Sequence, residues 1–236
     1  MTLDQIANQV CIKTHDTSAG AVAAAKTFCK NRYQMIWDSQ LWNNSQAVTT
    51  QAISAGDTDI TITDANMDLP VAVKLDTTAI SPANYGTAFY LSPSAFTGTG
   101  NTTSFVMLAK SDAGNIRIRL LNGAGSATTL SALCKTKIRV LNNGVSQYRS
   151  MEQDDDTPAI NTAEQALITL VEADMLEYKQ AYAKAQAKQS EALTLLSLAR
   201  NVERAQGASR FEVSADYNGE WSRDDFESGV SPILFQ

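Results

Sequence analysis

The segment Gln153-Asp154-Asp155-Asp156-Thr157-Pro158-Ala159-Ile160 divides two incompatible periodicities. Before it, apolar and polar residues alternate in short runs. After it, an alanine-rich pattern with three-to-four spacing runs from about Thr162 to Gln206. Left uninterrupted, roughly 45 helical residues would reach about 65 Å, longer than a compact domain of this size is wide. Such a helix carries more surface than this chain can cover alone, which points towards assembly and away from catalysis. A break near Ala187 to Glu191 would fold it into a hairpin, although no Gly or Pro there forces one. Asn161 or Thr162 is placed to cap its start and Gly207 to end it. Glu164, Glu172, Asp174 and Glu177 come early, and Lys179, Lys184, Lys188, Arg200 and Arg204 late, which complements the helix dipole.

Upstream, Thr2 with Gln5 forms a capping-box pattern at the head of a short helix reaching about Lys13. A stronger helix is expected from about Ala19 to Trp42, with Val22, Ala25, Cys29, Tyr33, Ile36, Trp37 and Leu41 on one stripe. From Ala47 to about Tyr148 the period becomes two. Five runs read as strands: Asp59 to Thr63, Val71 to Leu75, Ser104 to Leu108, Ile116 to Leu120 and Lys137 to Leu141. Asn122-Gly123 and Asn143-Gly144 favour tight turns with positive φ. Residues 96–103, rich in Gly, Thr and Asn, read as an exposed loop. The expected architecture is α+β. Residues 1–46 and 150–207 form a helical domain, with N-terminal helices and a long Ala-rich C-terminal helix or helical hairpin. Residues 47–149 form an inserted small antiparallel β domain, and residues 208–236 an extended C-terminal arm.

That arm lacks periodicity and carries isolated aromatics at Phe211, Tyr217, Trp221, Phe226 and Phe235, with Ile233 among them. Spaced anchors on a polar segment are how docking arms look. The same residues also suit a segment that covers the chain's own β domain, and both readings stand at this point.

Charge and cysteine usage narrow the function classes. Lys and Arg number 19 against 25 Asp and Glu, a net charge of −6. Tight nucleic-acid binding through phosphate neutralisation is therefore not expected. An acidic wall can still surround DNA without holding it. Cys11, Cys29 and Cys134 show no ligand spacing, and residues 1–10 show neither a basic region nor an apolar run. Reduced, buried thiols in a cytosolically made protein are expected, with no signal peptide. No window approaches the roughly 18 apolar residues of a membrane span.

Candidate chemistry is sparse. His15, the one histidine, sits in a connector and reads as a solvent-facing or capping residue. Asp154, Asp155 and Asp156 lack EF-hand spacing and read as a solvated acidic loop near a helix start. Asp57, Asp59 and Asp64 read as exposed turn residues. Arg117 and Arg119, with Lys135, Lys137 and Arg139, alternate on strands as the solvent face of a sheet, or as a basic stripe towards DNA or an acidic partner. Phosphate-loop, dinucleotide, serine-hydrolase and zinc-protease motifs are absent from the sequence. No catalytic, cofactor-binding or metal residues are expected, and no cofactor.

The order of parts resembles the head-to-tail adaptor (neck or connector) proteins of tailed bacteriophages. It rests on a helix ending in RYQMIWDSQLWNNS and a β insert opening with AVTTQAISAGDTDITITDANMDLPVAVKL and later carrying AFYLSPSAF. The acidic QDDDTPAIN then leads into TAEQALITLVEADMLEYKQAYAKAQAKQSEALTLLSLARNVERAQG. It covers about residues 20–207; the arm lies outside it. The resemblance implies a non-enzymatic virion protein in the neck, assembled in the host cytoplasm. It would form a ring of twelve copies beneath the portal protein, meeting a tail tube or nozzle protein below, with genome DNA passing through without specific binding and no membrane involved. It assigns portal docking to Phe211, Tyr217, Trp221, Phe226 and Phe235. Contact with a tail protein or a neighbouring subunit remains the alternative for these residues. The rival readings are a tail-side ring (a tail-completion or nozzle protein) and, from other classes, a DNA-packaging factor or a cell-wall-degrading virion enzyme.

Overall fold

In the computed structural model the described residues are 1–84, 86, 102 and 104–213, with side chains described through residue 205. The fold is α+β, built on two apolar cores. The first belongs to four helices: α1 (Leu3–Lys13), α2 (Ala19–Asp38), α3 (Glu164–Tyr178) and α4 (Tyr182–Val213). The Thr2 hydroxyl accepts from the Gln5 N–H while the Gln5 side chain accepts from the Thr2 N–H, the reciprocal capping box that starts α1. Ser18 caps α2 by accepting from the Ala21 N–H. This helix stops at Asp38, four residues short of the expected Trp42. The Ser39 hydroxyl and the Trp42 indole N–H both donate to the Ile36 carbonyl, one of the carbonyls a helix end leaves free.

Ten strands follow in the described chain: β1 (Gln46–Ile53), β2 (Asp59–Thr61), β3 (Met67–Leu75), β4 (Thr78–Pro82), β5 (Ser104–Leu108), β6 (Arg117–Leu120), β7 (Thr128–Thr136), β8 (Val140–Asn142), β9 (Val145–Gln147) and β10 (Asp156–Pro158). The first seven make one sheet in the order β1-β7-β3-β4-β5-β6-β2. Its pairings are antiparallel except β4 with β5, which run parallel, so the sheet departs from the antiparallel expectation at that point. Strand β7 pairs with β1 in continuous register and with β3 across two register shifts, and is not among the five expected runs; its Ser131, Ala132 and Lys135 interrupt the pattern of β-branched and aromatic residues that marks a strand. Leu130, Ala132 and Cys134 of β7 alternate into the second core beside Ile60, Val73, Phe105, Ile118 and Leu120. The run Lys137 to Leu141 is divided: strand structure resumes only at Val140.

The remaining three strands form a small sheet, β10-β8-β9. The β8–β9 turn places Asn143 at φ 49° and Gly144 at φ 79°, the two-residue geometry that Asn-Gly favours. This sheet packs on the helices: Val140, Met151, Ala159 and Ile160 join the helical core.

The long C-terminal pattern is two helices. Helix α3 ends at Tyr178, and α4 returns antiparallel from Tyr182, with Lys188 of α4 3.5 Å from Glu172 of α3. The break thus lies at residues 179–181, earlier than the expected 187–191. Neither Asn161 nor Thr162 caps α3 through its side chain; a 3-10 turn (Asn161–Ala163) precedes it, and the Thr162 hydroxyl donates to Glu203 of α4 at 2.8 Å. Nor does Gly207 end α4, which continues six residues further to Val213. The expected exposed loop at 96–103 lies outside the described residues apart from Thr102.

Candidate docking surfaces and the acidic knot

The acidic tripeptide does not behave as one solvated loop. Asp154 is exposed and paired with Lys26 at 2.7 Å. Asp155 is exposed, whereas Asp156 is fully buried. The chain doubles back because Asp156 gathers its neighbours. Its carboxylate accepts from both terminal nitrogens of Arg149 at 2.5 and 2.7 Å, from the N–H groups of Glu152 and Gln153, each at 2.8 Å, and from the Asn142 amide at 3.0 Å. Burial alone would raise its pKa, but the Arg149 charge and these donors together hold the carboxyl well below the usual carboxylate range. The knot fixes β10 against β8 and sets the direction in which the chain enters α3. A run of three aspartates does not reveal this; the one signal in the sequence is an arginine seven residues upstream.

The alternating basic residues are likewise largely consumed within the fold. Arg119 grips Asp59 through two nitrogens at 2.5 and 2.7 Å, and Arg117 lies 4.0 Å from the same carboxylate. Lys135 is buried and 3.6 Å from Asp38, which leaves Arg117, Arg119 and Lys135 unsuited to a continuous basic stripe. Asp59 is therefore an ion-pair partner, with its carboxyl pulled below its ordinary range chiefly by the Arg119 hydrogen bond. Asp57 and Asp64 act as turn residues, accepting from the Ser54 and Asn66 N–H groups respectively. His15 occupies the α1–α2 turn with φ 54°.

Two surfaces on the helical unit carry exposed apolar groups. An open groove of about 600 Å³ runs between α2 and the tip of the α3–α4 hairpin. Phe28, Asn31, Arg32 and Met35 form its α2 wall at the i, i+3, i+4, i+7 positions of one helical face. Asp174, Glu177, Tyr178 and Tyr182 form the other wall. Across it, Arg32 donates to both Asp174 carboxylate oxygens at 2.6 and 2.7 Å, and Phe28 meets Tyr178 edge-on at 6.4 Å. Tyr178 and Tyr182 remain 64% and 62% exposed. The second is α4, which exposes Tyr182 and Leu193 on one flank of its buried stripe and Leu198 and Val202 on the other. These apolar side chains border the Ala192, Leu196 and Ala199 stripe that packs into the helical core.

Among the described residues no cluster of three or more His, Cys, Asp or Glu side chains forms a metal-binding arrangement. No described helix is long and apolar enough to cross a membrane. The three cysteines are free and buried. Burial pushes the Cys29 thiol up to about 12 and the Cys134 thiol to about 11. Only a thiolate reacts quickly, so the native protein at pH 8 should resist a thiol-exchange reagent, and unfolding should expose all three cysteines. Rapid modification of the folded chain would contradict this placement.

Of the docking residues expected from sequence, Phe211 falls within the last turn of α4, not in an extended arm, and its side chain is outside the described set. Tyr217, Trp221, Phe226 and Phe235 lie outside the described residues. No protein-family model matches the chain, and no curated protein matches it.

Proposed function

We propose that this protein is a structural virion component without enzymatic activity. It forms a ring beneath the portal, connects capsid to tail and continues the DNA channel. The observation that carries this reading is the α3–α4 hairpin. Helix α4 leaves Tyr182 and Leu193 exposed on one flank and Leu198 and Val202 on the other, apolar groups that a neighbouring copy on each side would cover. Head-to-tail contacts of this kind close into rings when the rotation between copies is a whole fraction of a turn. The order of parts in the sequence supplies the adaptor assignment. In this reading the helical hairpins stand side by side around the channel, and the inserted β domain faces the tail. The residues after α4, with Tyr217, Trp221, Phe226 and Phe235, reach a partner ring. The net charge of −6 suits a conduit through which DNA slides without adhering.

Light scattering after size exclusion tests the reading directly, with the chain alone and then mixed with preformed portal rings. The expected result is a co-eluting complex of fixed subunit ratio. Removal of residues 214–236 should leave a folded subunit that no longer joins the portal. Binding to tail components alone would transfer the protein to a tail-side ring, and undiminished attachment of the truncated chain would remove the docking role from its C-terminal aromatics.

A further inference from the structure

The turn between α3 and α4 is short and made against local preference. It is three residues long, Lys179-Gln180-Ala181, and contains neither Gly nor Pro. All three residues are good helix formers. The bend is made by a Schellman arrangement: the Ala181 N–H donates to the Leu176 carbonyl and the Gln180 N–H to the Glu177 carbonyl, both at 2.8 Å. This geometry forces Gln180 to φ 61°, a left-handed conformation that glycine adopts freely and a side chain resists.

What holds α4 down is also modest. Its buried stripe consists of Ala185, Ala192, Leu196, Ala199 and Glu203, three of them single methyl groups. The polar ties are few: Lys188 to Glu172, Glu203 to the Thr162 hydroxyl and the Asn43 N–H, and the Asn43 amide to the Glu203 carbonyl. Helix α3, by contrast, is buried on nearly every side, with Leu167, Ile168, Leu170, Val171 and Met175 all in the core. It needs a covering helix, but nothing in the seam requires that helix to come from the same chain. A short, strained hinge between two helices of this kind invites exchange between copies.

We propose that α4 is an exchangeable element: the turn at residues 179–181 straightens, α3 and α4 become one helix, and α4 packs on the α3 of a second copy of this chain through the same seam. This rests on the ring reading and names a contact between neighbouring copies: each hairpin around the channel is then built from the α3 of one copy and the α4 of the next. In the straightened helix Tyr178 and Tyr182, already exposed, fall at i and i+4 on one face.

Spin labels at Gln165 and Asn201, both exposed, read the two states in the full chain. The closed hairpin holds these positions close together, because Thr162 and Glu203 are hydrogen-bonded. One straight helix separates them by about 54 Å. Doubly labelled chain diluted into excess unlabelled chain, concentrated and mixed with preformed portal rings, should show the long distance in its assembled fraction. Gln180→Gly relieves the turn and should reduce that fraction about fivefold or more. A short distance that persists at every concentration and in the presence of portal rings overturns the proposal, as does a Gln180→Gly variant that exchanges as readily as the parent. Rings that assemble with the short distance intact would leave the adaptor reading standing and defeat only the exchange. Exchanged dimers that ignore the portal would do the reverse.

Discussion

Replacing Asp156 with Ala should destabilise the protein by about 3 kcal/mol, the lower part of the range for breaking a buried ion pair. The lower part applies because Arg149 is 27% exposed and can recover water, whereas the Asp156 side chain is fully buried. The loss has two parts. Arg149 is left without its partner, and the N–H groups of Glu152 and Gln153 lose the acceptor that folds the loop. Asp156→Asn keeps the volume and one acceptor oxygen and should lose less. Urea titrations followed by far-ultraviolet dichroism would measure both. The same carboxylate governs the acid limb of stability. Its folded pKa lies below the unfolded value of about 3.9. The stabilisation is therefore present in full above about pH 4 and fades as pH falls through the folded pKa. Asp156→Ala should flatten the dependence of stability on pH below 4, and an unchanged acid slope in that variant would assign the acid sensitivity to other carboxylates.

Trp37→Ala should cost more, about 4 kcal/mol, as large-to-small substitutions of buried aromatic residues do. Trp37 is 1% exposed, packs edge-on against Tyr33 with ring centroids 6.1 Å apart, and donates its indole N–H to the Thr136 carbonyl at the end of β7. It therefore does two things at once. It fills the helical core, and it ties α2 to the large sheet at the point where β7 ends. Trp37→Phe restores much of the volume but not the hydrogen bond, so it should recover more than half of the loss. Because domains of this size are stable by only about 5–15 kcal/mol, that loss is a large share of the total and should show as a clear drop in the urea midpoint. Loss of hydrogen-exchange protection should extend to β7 as well as α2. A loss confined to the helices would show that the two cores are held together elsewhere.

Tyr33 shows how far sequence periodicity reaches. Its position on the buried stripe of α2, with Ala25, Cys29 and Trp37, follows from spacing alone, because a 3.6-residue repeat leaves one face for the core. Its hydroxyl, which donates to the Arg139 carbonyl and accepts from the Ala159 N–H, bridges segments more than 100 residues away in sequence. No local pattern contains that bridge. Asp156 is the sharper case. Three consecutive aspartates look alike in sequence, yet one is buried and two are exposed, because only Asp156 is placed to receive Arg149 and Asn142. The candidate docking surfaces divide in the same way. The helical character of α4 is legible in its alanine-rich repeat, but which of its apolar residues stay exposed depends on where α3 lies.

The parts of this protein that depend on nearest neighbours in sequence were determined by the sequence itself. These include the capping box at Thr2, the Asn143-Gly144 turn, the helical stripe of α2 and the alternation of β6. In each, the stabilising contacts lie within a few residues of one another. Tertiary structure alone decided the rest. Strand β7, without a clear run of β-branched and aromatic residues, is a strand because β1 and β3 supply partners on both sides. The turn at Lys179–Ala181 exists against local preference, because α4 closes over α3 only if Gln180 accepts a left-handed backbone. Burial of the α3 core, not any residue in the turn, bends the chain there.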